Sequence, residues 1–524
     1  MEFLKKVKYK KLILMLMLML ILLTVYIIIN IIYLTKFPFV HSDESWLSGL
    51  SRNIAEKADF SVTETFFNLK IRNPHAIKII FHSMQILMIK LSGYSIFSVR
   101  LLSLIFGILA LYYQYKLSRL VFVPKKAALI SVILLGVDVQ FIYASHFARQ
   151  EIMLLFVLVF ALYYFFKNID KHNAVSDVIL ASVLGLGIGL HPNSFIISLP
   201  FGAIYIYHIF VTKKIRPLNL LYFILTLALF AALFVSLSFY FDPDFISNYA
   251  KYGNEFEILS PLSSKFLEIK DFYLKLYYSV SGTYYTPDIR FQFFLFGGAL
   301  LFSILKLYKN KGRLKESKIP EIIISIVCLN AGIIFIGRYN QTSIAFQFPL
   351  FYILVCYAIE NIKRPYKNFA VSCLVLIVCC STVYNVLPYL NNDYSNYLFE
   401  ISKAVNKNDA VLANLNTEYY FDNGRLYDYR NLAFLKDSNM SFKDYIQKYK
   451  IQYIIYPEEM DLIYSQRPKW NGIYGNLLYY DEMKQFFINN CELVHEFENK
   501  TYGIRIARYI NTKDWNVKIY KVLN

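Results

Sequence analysis

The residues best suited to chemistry are two adjacent carboxylates, Asp43 and Glu44, and a scattered set of arginines and acids that follow them. A positioned carboxylate can take the proton from an attacking hydroxyl, so Asp43 is the candidate general base and Glu44 a candidate for orienting or binding an acceptor. The stretch Trp46-Leu47-Ser48-Gly49-Leu50-Ser51-Arg52-Asn53-Ile54-Ala55 has the spacing of an amphipathic surface helix. A helix cap and a first-turn acid would therefore also account for Asp43 and Glu44. The planar fork of an arginine suits a phosphate, which makes Arg100 and Arg338 candidates for holding one. Arg100 could instead reach to lipid headgroups.

Asp138 is an acid within an apolar run, a placement costly enough to imply pairing or function. Arg149 and Glu151 flank a short turn and could form a local ion pair or contact a substrate. His191, before Pro192 and after the Gly185/Gly187/Gly189 ladder, is either a metal ligand or an interface histidine. Tyr339 follows Arg338 and shares its candidacy, and Asp242-Pro243-Asp244 reads first as a turn and second as a metal site. Phosphate-cradling glycine loops, zinc-protease motifs and nucleophile elbows are absent from the sequence.

What must position these groups is a membrane. Of 524 residues, 56% are hydrophobic and only 18% charged. Apolar runs near the length of a bilayer core recur from Leu12 to Pro388 and then stop. The first, Leu12 to Leu34, follows five lysines and reads as an uncleaved anchor. Further crossings are expected at about 96–120, 127–145, 151–167, 176–190, 193–212, 218–241, 290–308, 319–337, 342–360 and 369–388. Residues 1–390 thus form a membrane domain of eleven helices, and 391–524 a soluble α/β domain. In the latter, Ser395 to Asn406 reads as a helix, and Ala410 to Leu415, Ile451 to Tyr456 and Gly503 to Arg508 as strands. Five of six cysteines lie in apolar runs, so no disulfide framework is expected. The net charge of +18 comes from clusters in short loops between apolar runs, which sets topology rather than nucleic-acid binding.

The segment 76–92 decides the sidedness. With the residue before it, it carries His75, Lys78, His82, Gln85 and Lys90, a heavy load for a lipid-facing helix. If it lies along the outer leaflet without crossing, every short basic loop falls on the side of the N-terminal lysines. The N-terminus is then cytoplasmic, and loops 35–95 and 242–290 and the C-terminal domain are outside. Asp43, Glu44, Arg100, Asp138, Arg149, Glu151, His191, Arg338 and Tyr339 all gather toward that outer side.

In this order the motifs resemble the protein O-mannosyltransferase superfamily, which includes the lipid A aminoarabinose transferases. Asp43-Glu44 after the first span is similar to its acidic pair, and Ser98-Val99-Arg100-Leu101-Leu102-Ser103 to the start of its second crossing. Tyr143-Ala144-Ser145-His146-Phe147-Ala148-Arg149-Gln150-Glu151 resembles its second outer loop, and Arg338-Tyr339 its late Arg-Tyr pair. The resemblance covers roughly residues 10–390. It implies a GT-C fold with an outward-facing cleft, a polyprenyl- or dolichyl-monophosphate sugar donor, and inversion at the sugar carbon. Where many relatives carry an acid after the glycine that precedes the second crossing, this sequence has Gly93-Tyr94-Ser95, and Asn73-Pro74-His75 replaces their Pro-Pro. The Trp-Trp-Asp pattern of oligosaccharyltransferases is absent.

The expected function is therefore an inverting sugar transferase that uses a lipid-linked donor, because the outer face has no nucleotide sugar. The acceptor is a glycan, lipid or protein, membrane lipid is a partner, and nucleic acid is not. No cofactor is assigned, and a divalent metal is left open. The rival readings are a polysaccharide polymerase or ligase with a pyrophosphate-linked donor, and a flippase or transporter. The latter would place its ionisable residues nearer mid-membrane. Cysteine labelling of sealed membranes is expected to reach position 403 from outside and positions 311, 313 and 315 only from the cytoplasm; labelling of both regions from outside would rule out eleven crossings.

Overall fold

The computed structural model describes residues 21, 23–70, 72–122, 124–255, 260–280, 282–309, 317–337 and 339–523. Eight helices among them are long and apolar enough to cross a membrane. These are Ile96–Val121, Glu151–Lys171, Ser194–Thr212, Pro217–Phe241, Arg290–Lys309, Ile319–Ile336, Gln341–Glu360 and the helical run beginning at Pro365. The pair Lys125–Gly136 and Val139–His146, bent by 63°, fills the crossing expected at 127–145. The one expected at 176–190 is the shorter apolar helix Ala174–Gly189. The first expected crossing lies largely outside the described residues; its C-terminal part is the helix Leu23–Tyr33, which exposes Val25, Ile28 and Ile32. Lys311, Arg313, Lys315 and Arg338 also lie outside the described residues. Basic loops meet at one end of the bundle: Lys318 donates to the Leu120 carbonyl (3.1 Å) and Lys214 to Asp170 (3.0 Å).

The bend in the third crossing has a local cause. Asp138 stops one helix and caps the next, accepting the Gln140 N–H at 2.8 Å. Its other oxygen accepts from Gln292 (3.0 Å) and Tyr352 (2.7 Å), which joins three membrane helices at one point. The carboxylate is wholly enclosed. This corrects its assignment to substrate binding: its partners are all protein groups, and no surface reaches it.

The segment before the second full crossing is the 14-residue helix Ile79–Ser92. At 1.5 Å per residue it is roughly 21 Å long, short of a bilayer core of about 30 Å. His82 and Gln85 both bond to Ser51, at 2.8 and 2.7 Å, and so turn its polar side toward the surface helix Ser42–Lys57.

That surface helix begins with a capping box. The N-cap is His41, whose Nδ1 accepts the Asp43 N–H (3.0 Å), while the Glu44 carboxylate accepts the His41 N–H (3.0 Å). Asp43 itself is not the cap. Glu44 also takes both Nε and Nη2 of Arg100, each at 2.7 Å, and the Ala148 N–H at 2.9 Å. Arg100 gives its remaining donors to the carbonyls of Leu34 and Pro38 (2.9 Å each) and Phe39 (3.3 Å). Both side chains are fully buried. This pair staples the first outer loop to the second crossing and to the turn before Glu151.

The C-terminal domain is a five-stranded mixed sheet in the order β2-β1-β3-β5-β4. The strands are β1 (Val411–Ala413), β2 (Leu426–Asp428), β3 (Tyr453–Pro457), β4 (Cys491–Asn499) and β5 (Trp515–Val522). Two of the strands expected from sequence are β1 and β3. The third, Gly503 to Arg508, is not a strand, because the N–H groups of Arg505 and Ile506 bond to the buried carboxylate of Glu459 (2.8 Å each) instead of to a neighbouring strand. The hydrogen-bonded ladder runs through β4 and β5 instead.

Two outcomes follow from the surface-helix entry. Glu44→Gln leaves the buried Arg100 charge without its counter-ion, so the folded state is expected to lose about 3–5 kcal/mol. The change is read as a lower melting temperature of the purified protein, and an unchanged melting temperature would contradict it. His41 is held neutral: its Nδ1 accepts an N–H, and burial pushes its pKa down to about 4, against the opposing pull of Asp43. Between that value and the ordinary histidine pKa of about 6.5 the unfolded chain takes up a proton that the folded chain refuses. Its contribution to stability is therefore complete above pH 6.5 and falls as the pH drops toward 4. A thermal-melt series is expected to show this decline, and His41→Asn, an uncharged cap, is expected to flatten it.

Candidate active site

The two adjacent carboxylates have opposite environments. Glu44 is sealed, whereas the Asp43 side chain keeps 24% of its surface exposed. Asp43 Oδ2 accepts from Arg149 Nη1 at 2.6 Å and from the Tyr284 hydroxyl. Arg149 also donates to Tyr284 (2.5 Å) and pairs through Nη2 with Glu151 (3.0 Å), and Thr342 donates to the same Glu151 oxygen at 2.8 Å. The guanidinium lies over the rings of Tyr284 and Phe147, 5.2 and 5.8 Å from their centroids. The His41 ring stacks on Tyr284 at 4.3 Å, and its Nε2 faces the Thr283 hydroxyl at 2.9 Å. Because Nδ1 is an acceptor here, Nε2 carries the proton and donates it to Thr283.

The site is thus assembled from three loops: the helix start at 41–44, the turn at 147–151 and the second outer loop at 283–284. Chemically it offers a carboxylate oriented by Arg149 and Tyr284 and partly exposed. The C-terminal domain covers part of the same entry, since the Val40 N–H donates to Tyr502 (3.2 Å) and Ser48 bonds to Tyr419 (2.8 Å).

Several sequence expectations need correction. Arg100 cannot take a phosphate, because all five of its N–H donors are occupied inside the protein and none of its surface is exposed. Glu44 is closed to an acceptor for the same reason. Tyr339 donates to the Lys265 carbonyl and packs on Phe272, which anchors the loop helix Leu262–Tyr277. His191 caps its own turn, with Nδ1 accepting the Asn193 N–H at 3.0 Å. Asp242 makes the expected turn, accepting from the Asp244 N–H (3.0 Å) and from Asn248 (2.9 Å). Arg338 lies outside the described residues. No group of three or more His, Cys, Asp or Glu side chains placed to hold a metal occurs among the described residues. His41 Nδ1 lies 3.7 Å from Asp43 but is already an acceptor within the helix cap. This donor set does not fit a metal.

Sequence reading missed a second feature. A cleft of about 360 Å³ opens between the loops 35–95 and 242–290, with Lys70, Arg72, His75, Asp242, Asn248 and Lys251 among its lining residues. Arg72 and Lys70 lie 5.0 and 5.4 Å from the ring of Trp46, which is one helical turn beyond Asp43. Trp46 donates its indole N–H to Glu64 at 2.6 Å. In the sequence Lys70, Arg72 and Lys251 are three among many cations of the loops 35–95 and 242–290, and no local pattern marks them as meeting at one cleft.

Comparison with known proteins agrees with this architecture. Residues 79–239 match the model of the dolichyl-phosphate-mannose-protein mannosyltransferase family. No curated protein sequence matches the chain. Among solved structures, ArnT from Cupriavidus metallidurans bound to undecaprenyl phosphate is similar with a TM-score of 0.59 at 11% identity, over 96% of this chain and 97% of that one. The oligosaccharyltransferase of Archaeoglobus fulgidus in its apo form gives 0.52 at 14% identity, over 86% and 71%. The same enzyme in complex with Zn and sulfate gives 0.51 at 16%, over 85% and 69%. With its bundle of apolar helices, its long loops gathered at one end and its small C-terminal sheet domain, the chain has an ArnT-like GT-C fold.

Proposed function

We propose that this protein moves a sugar from a polyprenyl monophosphate to an acceptor hydroxyl on the outer face of the membrane, with inversion at the anomeric carbon. The observation that carries the reading is the contrast between Asp43 and Glu44: of two neighbouring carboxylates, one is closed inside an ion pair and the other is oriented by Arg149 and Tyr284 and left partly open. Asp43 takes the proton of the acceptor hydroxyl as that oxygen forms its bond to the anomeric carbon. The bond from that carbon to the phosphate oxygen breaks with its electron pair, which leaves the lipid phosphate. A phosphate leaves readily, so no general acid is required.

Fixed positive charge at the phosphate lowers the barrier further. The cleft with Lys70, Arg72 and Lys251 supplies it in place of Arg100. Arg149 acts by holding Asp43 rather than the lipid, with Glu151 in turn holding Arg149. The similarity to a structure carrying undecaprenyl phosphate supports the donor class, and the position of the site beside the C-terminal domain supports an outward orientation with a cytoplasmic N-terminus. The acceptor is a glycan, lipid or protein hydroxyl.

Asp43→Asn removes the proton-accepting charge while conserving shape, and Asp43 is not the helix cap. Expression and melting temperature are expected to stay near wild type, while sugar transfer from a polyprenyl-phosphate donor, assayed without nucleotide sugar, falls by roughly two to four powers of ten. Normal turnover in Asp43→Asn would remove the base from this residue. Activity that appears only with a nucleotide sugar would reject the donor.

A further inference from the structure

The basic loop at the cleft has no regular secondary structure, yet its backbone is fully specified from outside the membrane domain. The N–H groups of Asn68, Leu69 and Lys70 converge on one acceptor, the side-chain oxygen of Asn431, at 2.9, 3.1 and 3.4 Å. The amide nitrogen of Asn431 donates to the carbonyls of Phe66 (2.8 Å) and Asp428 (3.0 Å). Turning the amide over would set donors against donors and acceptors against acceptors, so its partners fix its plane. Asn431 is fully buried. The Asp428 N–H adds a bond to Phe66 (3.1 Å), and Tyr445 donates to the Asn68 side chain (2.9 Å). All of these partners belong to the C-terminal domain.

The same contact brings charge. Arg430, held by Asp428 at 2.7 Å, places its guanidinium 4.7 Å from the centroid of the Trp46 ring, which Arg72 and Lys70 also approach. Three cations thus approach one ring, with Glu64 beside Arg72 and Asp428 beside Arg430. Like charges gathered this closely repel. The loop keeps this arrangement only while its backbone is held, and an anionic ligand is attracted to the gathered cations.

We propose that the soluble domain shapes the phosphate-binding loop of the membrane domain, with Asn431 as the positioning residue. The ligand is the monophosphate headgroup of a polyprenyl lipid, an assignment that rests on the donor proposed above. Loss of the Asn431 amide strands three backbone donors and leaves the Phe66 carbonyl with the Asp428 N–H alone, and the loop then no longer presents Lys70 and Arg72 together.

The test uses the full-length protein in lipid nanodiscs, with undecaprenyl phosphate as the probe and inorganic phosphate as a second probe. Asn431→Ala is expected to speed amide hydrogen exchange across 66–72 and to raise the Kd for undecaprenyl phosphate about tenfold, a loss of about 1.4 kcal/mol. Asn414→Ala is the control: it removes a buried amide bonded to Tyr474 within the same domain, and it is expected to lower the melting temperature without changing either readout. Should Asn431→Ala not fold, Tyr445→Phe removes only the bond to Asn68 and is expected to give the same changes in smaller measure. Exchange across 66–72 that matches wild type in the variant overturns the positioning role. A wild-type protein that binds neither probe overturns the donor, and the exchange result then decides the shaping of the loop separately. Tight binding of inorganic phosphate alone would assign the site to free phosphate and overturn the lipid ligand.

Discussion

A guanidinium without a single contact to solvent is the constraint around which this end of the helix bundle is built. Arg100 sits near the start of the membrane helix Ile96–Val121, where an unpaired charge would be prohibitively costly. Its five donors meet the two oxygens of Glu44 and the carbonyls of Leu34, Pro38 and Phe39. Those carbonyls belong to the chain between the first crossing and the surface helix, so the pair dictates the path by which that helix begins. Glu44 extends the constraint to the next turn through the Ala148 N–H. Because Glu44 must point inward to neutralise Arg100, its neighbour Asp43 is left on the outer side of the same helical turn.

The rest of the site depends on that division. Asp43 meets Arg149 one residue after Ala148, and Tyr284 arrives from the second outer loop to complete the set. His41 contributes in the neutral form, since it must accept a backbone N–H while it stacks on Tyr284. A charged imidazole could not accept that bond, so the helix start and the aromatic wall of the site require the same protonation state.

The soluble domain is part of this assembly. It meets the first outer loop at Val40, Ser48 and Phe66 to Lys70 through Tyr502, Tyr419 and Asn431. Loops that lack a ladder of their own need external acceptors for their N–H groups, and a neighbouring domain supplies them here. The two parts of the chain accordingly share one surface beside Asp43.

The sequence by itself determined what depends on local composition and period. Apolar runs of bilayer length, lysines and arginines in the short loops and a polar C-terminal stretch are enough to define a multi-pass helical protein with a separate sheet domain. Asp43 and Glu44 could be singled out as a pair for the same reason. Only the tertiary structure decided which of them is open, because that depends on where the Arg100 donors find acceptors far along the chain. It also decided that Asp138 caps a helix break, that Tyr339 anchors a loop helix, and that Gly503 to Arg508 gives its N–H groups to Glu459 instead of to a strand. An arginine or an acid reads the same in sequence whether its partner is a ligand or a buried main-chain group. The distinction lies in long-range hydrogen bonding, which no local pattern encodes.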